Sequence, residues 1–205
     1  MRKRITLTVI LVALFVLLGG LSFAVEMYFD YLWFAELGKI AIFTTALYAK
    51  SLLGSGILLI SFLFLYFNLL FANRGLGLIQ IGIPTPAGQI TAYTVQPEMV
   101  RKLSGVLALL VGLFLAIGGA SNWENVWRWT HRVAFNAQDP VFLKDVSFYF
   151  FSLPLMQEVV RYGLTLSFLA LAGVVVLYYF KGALSLSKLL EATGRSRISI
   201  HISLL

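Results

Sequence analysis

The sequence contains no cysteine, which excludes disulfides, thiolate nucleophiles and cysteine-ligated metal. Its two histidines, His131 and His201, are too few for a histidine-rich metal site. Charge is also scarce: Asp, Glu, Lys and Arg make up 12% of the chain, against roughly 25% in an ordinary soluble domain. Hydrophobic residues reach 60% and gather in long blocks, so the chain reads as an integral membrane protein. The net charge of +7 comes without a basic helix or a base-stacking motif, so nucleic acid is not an expected partner. In a membrane chain such a charge reflects basic cytoplasmic loops.

Four apolar runs carry the architecture. Met1-Arg2-Lys3-Arg4 precedes an uninterrupted run from Ile5 to Val25. A basic start and Gly19, Gly20 and Ala24 also suit a signal peptide, but the run is long enough to span and has no A-x-A site. We read it as an uncleaved first transmembrane helix. No helix breaker occurs before Gly38, so this helix is expected to continue to about Leu37 with Gly38 as its C′ residue. The aromatics Tyr28, Phe29, Tyr31, Trp33 and Phe34 suit the headgroup zone. Asp30 and Glu36 read as a solvated helix end, with a cation site as the alternative.

Ile40 to Phe71 is again helical in character and, at roughly 48 Å, longer than the ~30 Å hydrocarbon core. Gly54-Ser55-Gly56 is the expected bend. Lys50 sits one or two turns outside the core and can snorkel; Asn68, the one strongly polar side chain within the apolar part of the run, suggests an interhelical hydrogen bond or, alternatively, a transport site. Leu78–Ile83, Pro84–Gly88 and Gln89–Val95 read as strand, turn and strand. Gly75-x-Gly77 lacks the further glycine and lysine of a phosphate loop. Pro97-Glu98-Met99 opens the next helix, whose spanning part is Leu103–Ala120. Along it Ser104, Ala108, Gly112, Ala116 and Ala120 recur every four residues. Such a small-residue ridge lets a second backbone approach closely. It suits a helix at the bundle centre or a homodimer face, and spacing alone does not separate them.

Between that helix and the last span, Leu164–Phe180, lies an irregular aromatic segment. Asp139-Pro140 reads as a helix start, a capping carboxylate followed by a proline with no N–H to leave unsatisfied. Asp145 reads as the cap of a second short helix carrying Phe148, Tyr149, Phe150 and Phe151, and Leu153-Pro154 as a break or redirection. His131 with Asp139 and Asp145 is the one cluster that resembles a metal or proton site, without the spacing that would make it one. Trp123 and Trp127, one turn apart, suit an interfacial belt.

The pattern Asp139-Pro140-x-Phe142-x-x-Asp145-x-x-Phe148-Tyr149-x-Phe151-x-Leu153-Pro154 resembles the signature of bacterial multi-pass membrane proteins grouped as uncharacterised protein family 0182. Asp30-Tyr31-Leu32-Trp33-Phe34 and His201-Ile202-Ser203-Leu204-Leu205 resemble two further stretches of it, so the resemblance covers nearly the whole chain. It departs at Leu143, where the family pattern carries glycine. The resemblance implies a multi-pass membrane fold and brings no reaction with it. It also implies further helices and a large extramembrane domain beyond the apolar run that starts at Ile198, so the chain is expected to be the N-terminal portion of a longer one.

The expected fold is thus an all-α membrane protein with four transmembrane helices, at about 5–25, 52–71, 103–120 and 164–180. A short helical, aromatic extracytoplasmic cap and a small cytoplasmic β-hairpin complete it. The expected function is a membrane-anchoring or scaffolding domain for a downstream extracytoplasmic domain, with a transporter or channel portion as the alternative. No nucleophile–base pair or zinc motif falls within a span, so no enzyme, cofactor or metal is assigned. Asp139, Pro140, Asp145, Phe148, Tyr149 and Pro154 in the cap, with Asn68 and Gly112 in the helices, are the candidate structural or interaction positions. The expected partners are the lipid bilayer of the cell membrane and a downstream domain or membrane-protein partner.

Charge sets the expected orientation. Segments 1–4, 72–102 and 181–205 hold ten of the sixteen Lys and Arg residues, whereas 26–51 and 121–163 hold seven of the nine Asp and Glu residues. Basic loops stay cytoplasmic, which places both termini inside and the cap outside. Cysteines introduced at Ser121 and Ser187 should therefore react with an impermeant maleimide from opposite sides of the membrane. Labelling from one side only would overturn this topology.

Overall fold

The computed structural model describes residues 2–74, 79–84 and 90–181. The expected hairpin turn at 85–89, Gly75 and Gly77, and the tail from Gly182 with His201 lie outside the described residues. The chain divides into two compact units, 1–50 and 51–205.

In the first unit, helix α1 runs Arg2–Glu36 and α2, Ile40–Asn73, begins. The Gly38 N–H bonds the Ala35 carbonyl at 3.0 Å and the Lys39 N–H reaches back to Phe34 at 2.8 Å, with Gly38 at φ 66°. This pair of bonds is a Schellman cap, which needs a left-handed residue at C′, so Gly38 ends the helix as the sequence predicts. Phe43, one turn into α2, meets the rings of Tyr31 and Phe34 and holds the corner.

The second unit contains the rest of α2, a two-stranded hairpin, α3 (Pro97–Ala120), α4 (Trp123–Thr130) and α5 (Leu153–Phe180). Strands β1 (Ile79–Pro84) and β2 (Ile90–Val95) pair antiparallel, with Ile79 opposite Val95 and Pro84 opposite Ile90. Pro97 opens α3 in the first turn, where its missing N–H costs nothing. Helices α2, α3 and α5 alternate in direction. Gly54 of α2 lies against Ala120 at the end of α3, while at the opposite end the Lys181 ammonium donates to the Asn73 carbonyl at 2.7 Å.

All three helices meet along rows spaced by four residues. These rows are Ser61, Leu65 and Leu69 on α2, continued by Ala72 three residues on, Val100, Ser104, Ala108, Gly112 and Ala116 on α3, and Leu166, Ala170, Val174 and Tyr178 on α5. Leu65, Ala108, Leu166 and Ala170 form the central cluster, and Ala72, Val174 and Tyr178 form a second one nearer the hairpin. The ridge read from the sequence is therefore the packed face of α3 within one chain. A Cβ on Gly112 would stand 3.2 Å from Leu58 Cδ1 and 3.5 Å from the Leu58 carbonyl oxygen and the Phe62 nitrogen. The backbones of α2 and α3 meet there with no room for a side chain.

Gly54 is a point of contact between α2 and α3. Helix α2 is continuous through Gly54-Ser55-Gly56, and an added Cβ on Gly54 would meet Ala120 Cβ at 3.3 Å. This glycine is selected for close approach. Asn68 departs from the expectation of an interhelical bond, because its amide donates to the Phe64 carbonyl of its own helix at 2.8 Å. An interhelical polar contact is made about two turns away from it, at Ser61. Ser61, fully buried, donates to the Ile57 carbonyl at 2.7 Å, which leaves its oxygen to accept the Tyr162 hydroxyl of α5 at 2.8 Å.

Three helical segments are long and apolar enough to cross a bilayer: Ile40–Asn73, Pro97–Ala120 and Phe148–Phe180. On α3 the large side chains lie outside. Phe114 is 77% and Ile117 75% exposed while the small residues are buried, which is the inverse of a water-soluble bundle.

Gly112→Leu should destabilise the bundle by about 1–3 kcal/mol or more, as overpacking does, and Gly112→Ala by less. Thermal unfolding in detergent measures both, with Ile117→Ala, on the exposed face, as the neutral control. Wild-type stability of Gly112→Leu would mean that the ridge faces lipid.

Candidate functional site

The cap between α3 and α5 begins with α4, a two-turn helix stapled on its surface by Arg128 and Glu124 at 3.0 Å. It packs against the start of α5 and the π turn, Phe148–Ser152, that precedes it. His131 closes α4: its ring stacks on Trp127 at 4.4 Å between centroids, and its Nδ1 lies 3.0 Å from the Trp127 carbonyl oxygen. Beyond it the chain crosses to a tight loop.

Asp139-Pro140 does not start a helix. The Asp139 carboxylate accepts the Phe142 N–H at 2.9 Å, its carbonyl accepts the Leu143 N–H at 2.9 Å, and its own N–H donates to Lys144 at 2.8 Å. A short acidic side chain that bonds the backbone just ahead of it offers the chain a turn in place of a helix. Gln138 and Asp145 then pair across the base of the loop, and the Val146 N–H reaches the Ala137 carbonyl at 2.8 Å. Leu143 takes φ 54°, the left-handed region that favours glycine. The tight turn is thus held at a cost of roughly 1–2 kcal/mol for an L-residue.

Asp145 organises the other side. Its carboxylate accepts the backbone N–H of Ser147 at 2.8 Å, of Asn136 at 2.9 Å and of Phe135 at 3.2 Å. The first closes a local turn just ahead of the π turn, whose own capping position is Ser147 without a side-chain cap bond, so the expected capping role passes to a turn, and the other two tie the incoming segment to it. Phe135 also contacts the rings of Phe150 and Phe151, and the Tyr149 hydroxyl donates to Asp139 at 2.8 Å. Lys144 lies over the Phe148 ring. Leu153-Pro154 does not break the chain. The Leu153 N–H bonds five residues back to Phe148, and Pro154 sits in the first turn of α5, where it forfeits no helical bond.

These bonds set the electrostatics. The Asp145 carboxyl is held below its ordinary value near 3.8 by the Ser147 hydroxyl and N–H, helped by Phe135 and Asn136. Asp139 is lowered by the Phe142 N–H and then by the Tyr149 hydroxyl. Both carboxylates are occupied by these donors and His131 by the end of α4, so the structure does not bring the three together as ligands. Among the described residues no group of three His, Cys, Asp or Glu side chains converges. Asp30 and Glu36 lie exposed on the last turns of α1.

A cleft of about 140 Å³ opens beneath the cap. Leu53 and Ile57 of α2, Val126 of α4, and Leu155 and Val159 of α5 form its apolar walls. Asn122, Glu158 and Tyr162 supply its polar atoms. Glu158, its side chain 23% exposed, pairs with Arg161 through one oxygen. Its other oxygen is approached by the Asn122 amide at 3.4 Å. The sequence reading passed over these residues, although Glu158 and Tyr162 continue the four-residue row of Leu166, Ala170, Val174 and Tyr178.

The folded-state values of both aspartates are lowered. Their contribution to cap stability is therefore complete above the ordinary carboxylate value and is lost as pH falls through the lowered ones. Amide exchange at Phe135 and Asn136, relative to intrinsic rates, should accelerate in that acidic window, and Asp145→Asn should accelerate it already at neutral pH. Unchanged protection in both cases would show that the carboxylate does not hold the cap.

The family model of Uncharacterised protein family (UPF0182) matches residues 7–205. A UPF0182 protein of Trichlorobacter lovleyi is 38% identical over 187 residues, covering 88% of this chain and 20% of that protein. One from Geobacter sulfurreducens is 36% identical over 189 residues, covering 87% of this chain and 20% of the relative. A more distant one from Nocardioides is 29% identical over 204 residues. The chain thus spans about one fifth of the length of the relatives it matches. No solved structure matches. With a family match along almost its whole length, on the cap residues among others, the chain belongs to Uncharacterised protein family (UPF0182).

Proposed function

We propose that residues 1–205 are a membrane-anchoring domain with four transmembrane helices in the cell membrane. The fourth crossing is supplied by 5–25 of α1, both termini are cytoplasmic, and the cap faces outward as a platform for the extramembrane part of the protein. The reading assigns no catalytic role and no nucleic-acid partner. The observation that carries it is the inverted exposure of α3, which buries serine, alanine and glycine and presents leucine, isoleucine and phenylalanine to its surroundings. Only an apolar solvent makes that arrangement favourable. The transporter alternative rests on Asn68 and on the bend expected at Gly54–Gly56, and an Asn68 amide bonded to its own helix lends it no support.

A length argument supports the platform. Lys181 bonds Asn73, so these helix ends are level. A core of about 30 Å takes about 20 residues of helix. Counted from these ends, the opposite boundary falls near Arg161 on α5, Leu53 on α2 and Gly119 on α3. Tyr149, which grips the cap loop through Asp139, then stands roughly 18 Å above it. That is beyond a headgroup layer of about 5–8 Å. The loop tip, Val141-Phe142-Leu143, is 75%, 71% and 71% exposed. Three consecutive large apolar side chains held rigidly at that height suit a protein surface, and the relatives have four fifths of their length still to supply one.

In the whole protein, a cysteine in place of Phe142 should react with an impermeant maleimide at least ~10-fold more slowly than one at Ser121, which lies outside the loop. Equal rates would mean that nothing docks on the tip.

A further inference from the structure

We propose that the cleft beneath the cap is a binding site for one phospholipid whose headgroup carries both an ammonium and a phosphate. The inference rests on the membrane reading above and goes beyond it, because it assigns a ligand to residues that neither the bundle core nor the platform employs.

The position comes first. The cleft walls, Leu53 and Ile57 on α2, Gly119 on α3, and Glu158 to Tyr162 on α5, all fall at the boundary between hydrocarbon and headgroups reached from the level helix ends. An amphiphile lies across this boundary with its charges on one side and its chain on the other.

The chemistry of the cleft divides in the same way. Its inner part is apolar, and 140 Å³ accommodates four or five water-sized groups, about the first few carbons of one acyl chain. Its rim carries Glu158, whose ion-pair partner Arg161 lies outside the lining, one turn further along α5. Glu158 is three-quarters buried and one of its oxygens has only the long 3.4 Å approach of Asn122, so it can accept an ammonium there. Arg161 pairs with Glu158 and, at 68% exposure, retains donors for a phosphate. Side by side in one turn of helix, the two match the adjacent charges of a zwitterionic headgroup. An anionic lipid without the ammonium would leave its charge facing the Glu158 carboxylate.

The cleft is also well fixed. Tyr162 is held by the buried Ser61, Ile57 lies over Gly119 where a side chain would collide with it, and Val126 comes from α4, which packs on the start of α5. Its walls are therefore set before a lipid arrives, which lowers the cost of binding.

The experiment uses the whole protein purified in a nonionic detergent. Retained lipid is counted by native mass spectrometry and stability followed by thermal unfolding while phosphatidylethanolamine or phosphatidylglycerol is added. The wild type should retain one phosphatidylethanolamine and bind it about tenfold more tightly than phosphatidylglycerol. Glu158→Gln keeps the Asn122 contact but removes the charge, and should abolish the preference. Val126→Phe narrows the apolar part and should weaken both lipids. Equal affinity of the two lipids for the wild type would overturn the proposal, as would a preference that survives Glu158→Gln. Full competition by water-soluble phosphoethanolamine would do the same, by showing that the chain is not part of the ligand. Failure of the underlying reading would look different: the protein would leave the membrane on alkaline carbonate extraction.

Discussion

Close backbone approach is the constraint on which the bundle depends. In lipid, a leucine gains nothing by leaving the solvent for a neighbouring helix, so association must come from dispersion contacts and a few hydrogen bonds. Both favour helices that approach closely, which side chains at the crossing prevent. Gly112 against the backbone of Leu58 and Phe62, and Gly54 against Ala120, are the two places where this is achieved most tightly. The four-residue spacing of the buried positions on all three helices follows, since rows of that spacing are the ridges by which helices interdigitate.

Polar groups then fix what packing leaves free. At the hairpin end Lys181 caps the orphan Asn73 carbonyl of α2, and the partial burial this requires lowers its affinity for the proton. Nearer the cap, Ser61 and Tyr162 fix the rotation of α5 against α2 by a bond that is expensive to lose in an apolar interior. Outside the core, where water competes, the same task falls to charged acceptors: Asp139 and Asp145 between them hold four backbone amides and one tyrosine hydroxyl. The strength of the group used rises with the dielectric constant of its surroundings.

The proposed anchor and the proposed lipid site are consistent with this economy. A domain that offers a rigid platform needs its cap stiff, and the left-handed Leu143 shows that the loop shape is kept at a local cost. A headgroup seated between α2, α4 and α5 would add a further tie at the level where the bundle meets the cap, where the cleft leaves the walls apart.

The sequence by itself determined the helices and one of their contact faces. Sixty per cent hydrophobic residues in long blocks mark helices apolar enough to cross a bilayer, Gly38 and Pro97 mark helix ends, and the period of Ser104, Ala108, Gly112 and Ala116 marks a face, because each signal is local in the chain. Only the tertiary structure decided what depends on residues far apart. Asp139 makes a turn because Tyr149 and Lys144 return to meet it, and Gly54 is a contact because Ala120 lies on it. Asn68 turns inward to its own helix while Ser61 finds Tyr162, 101 residues away. The cleft with Glu158 and Asn122 exists only where α2, α4 and α5 converge. A helix's period specifies which face it buries; what that face meets is set by how the helices are brought together.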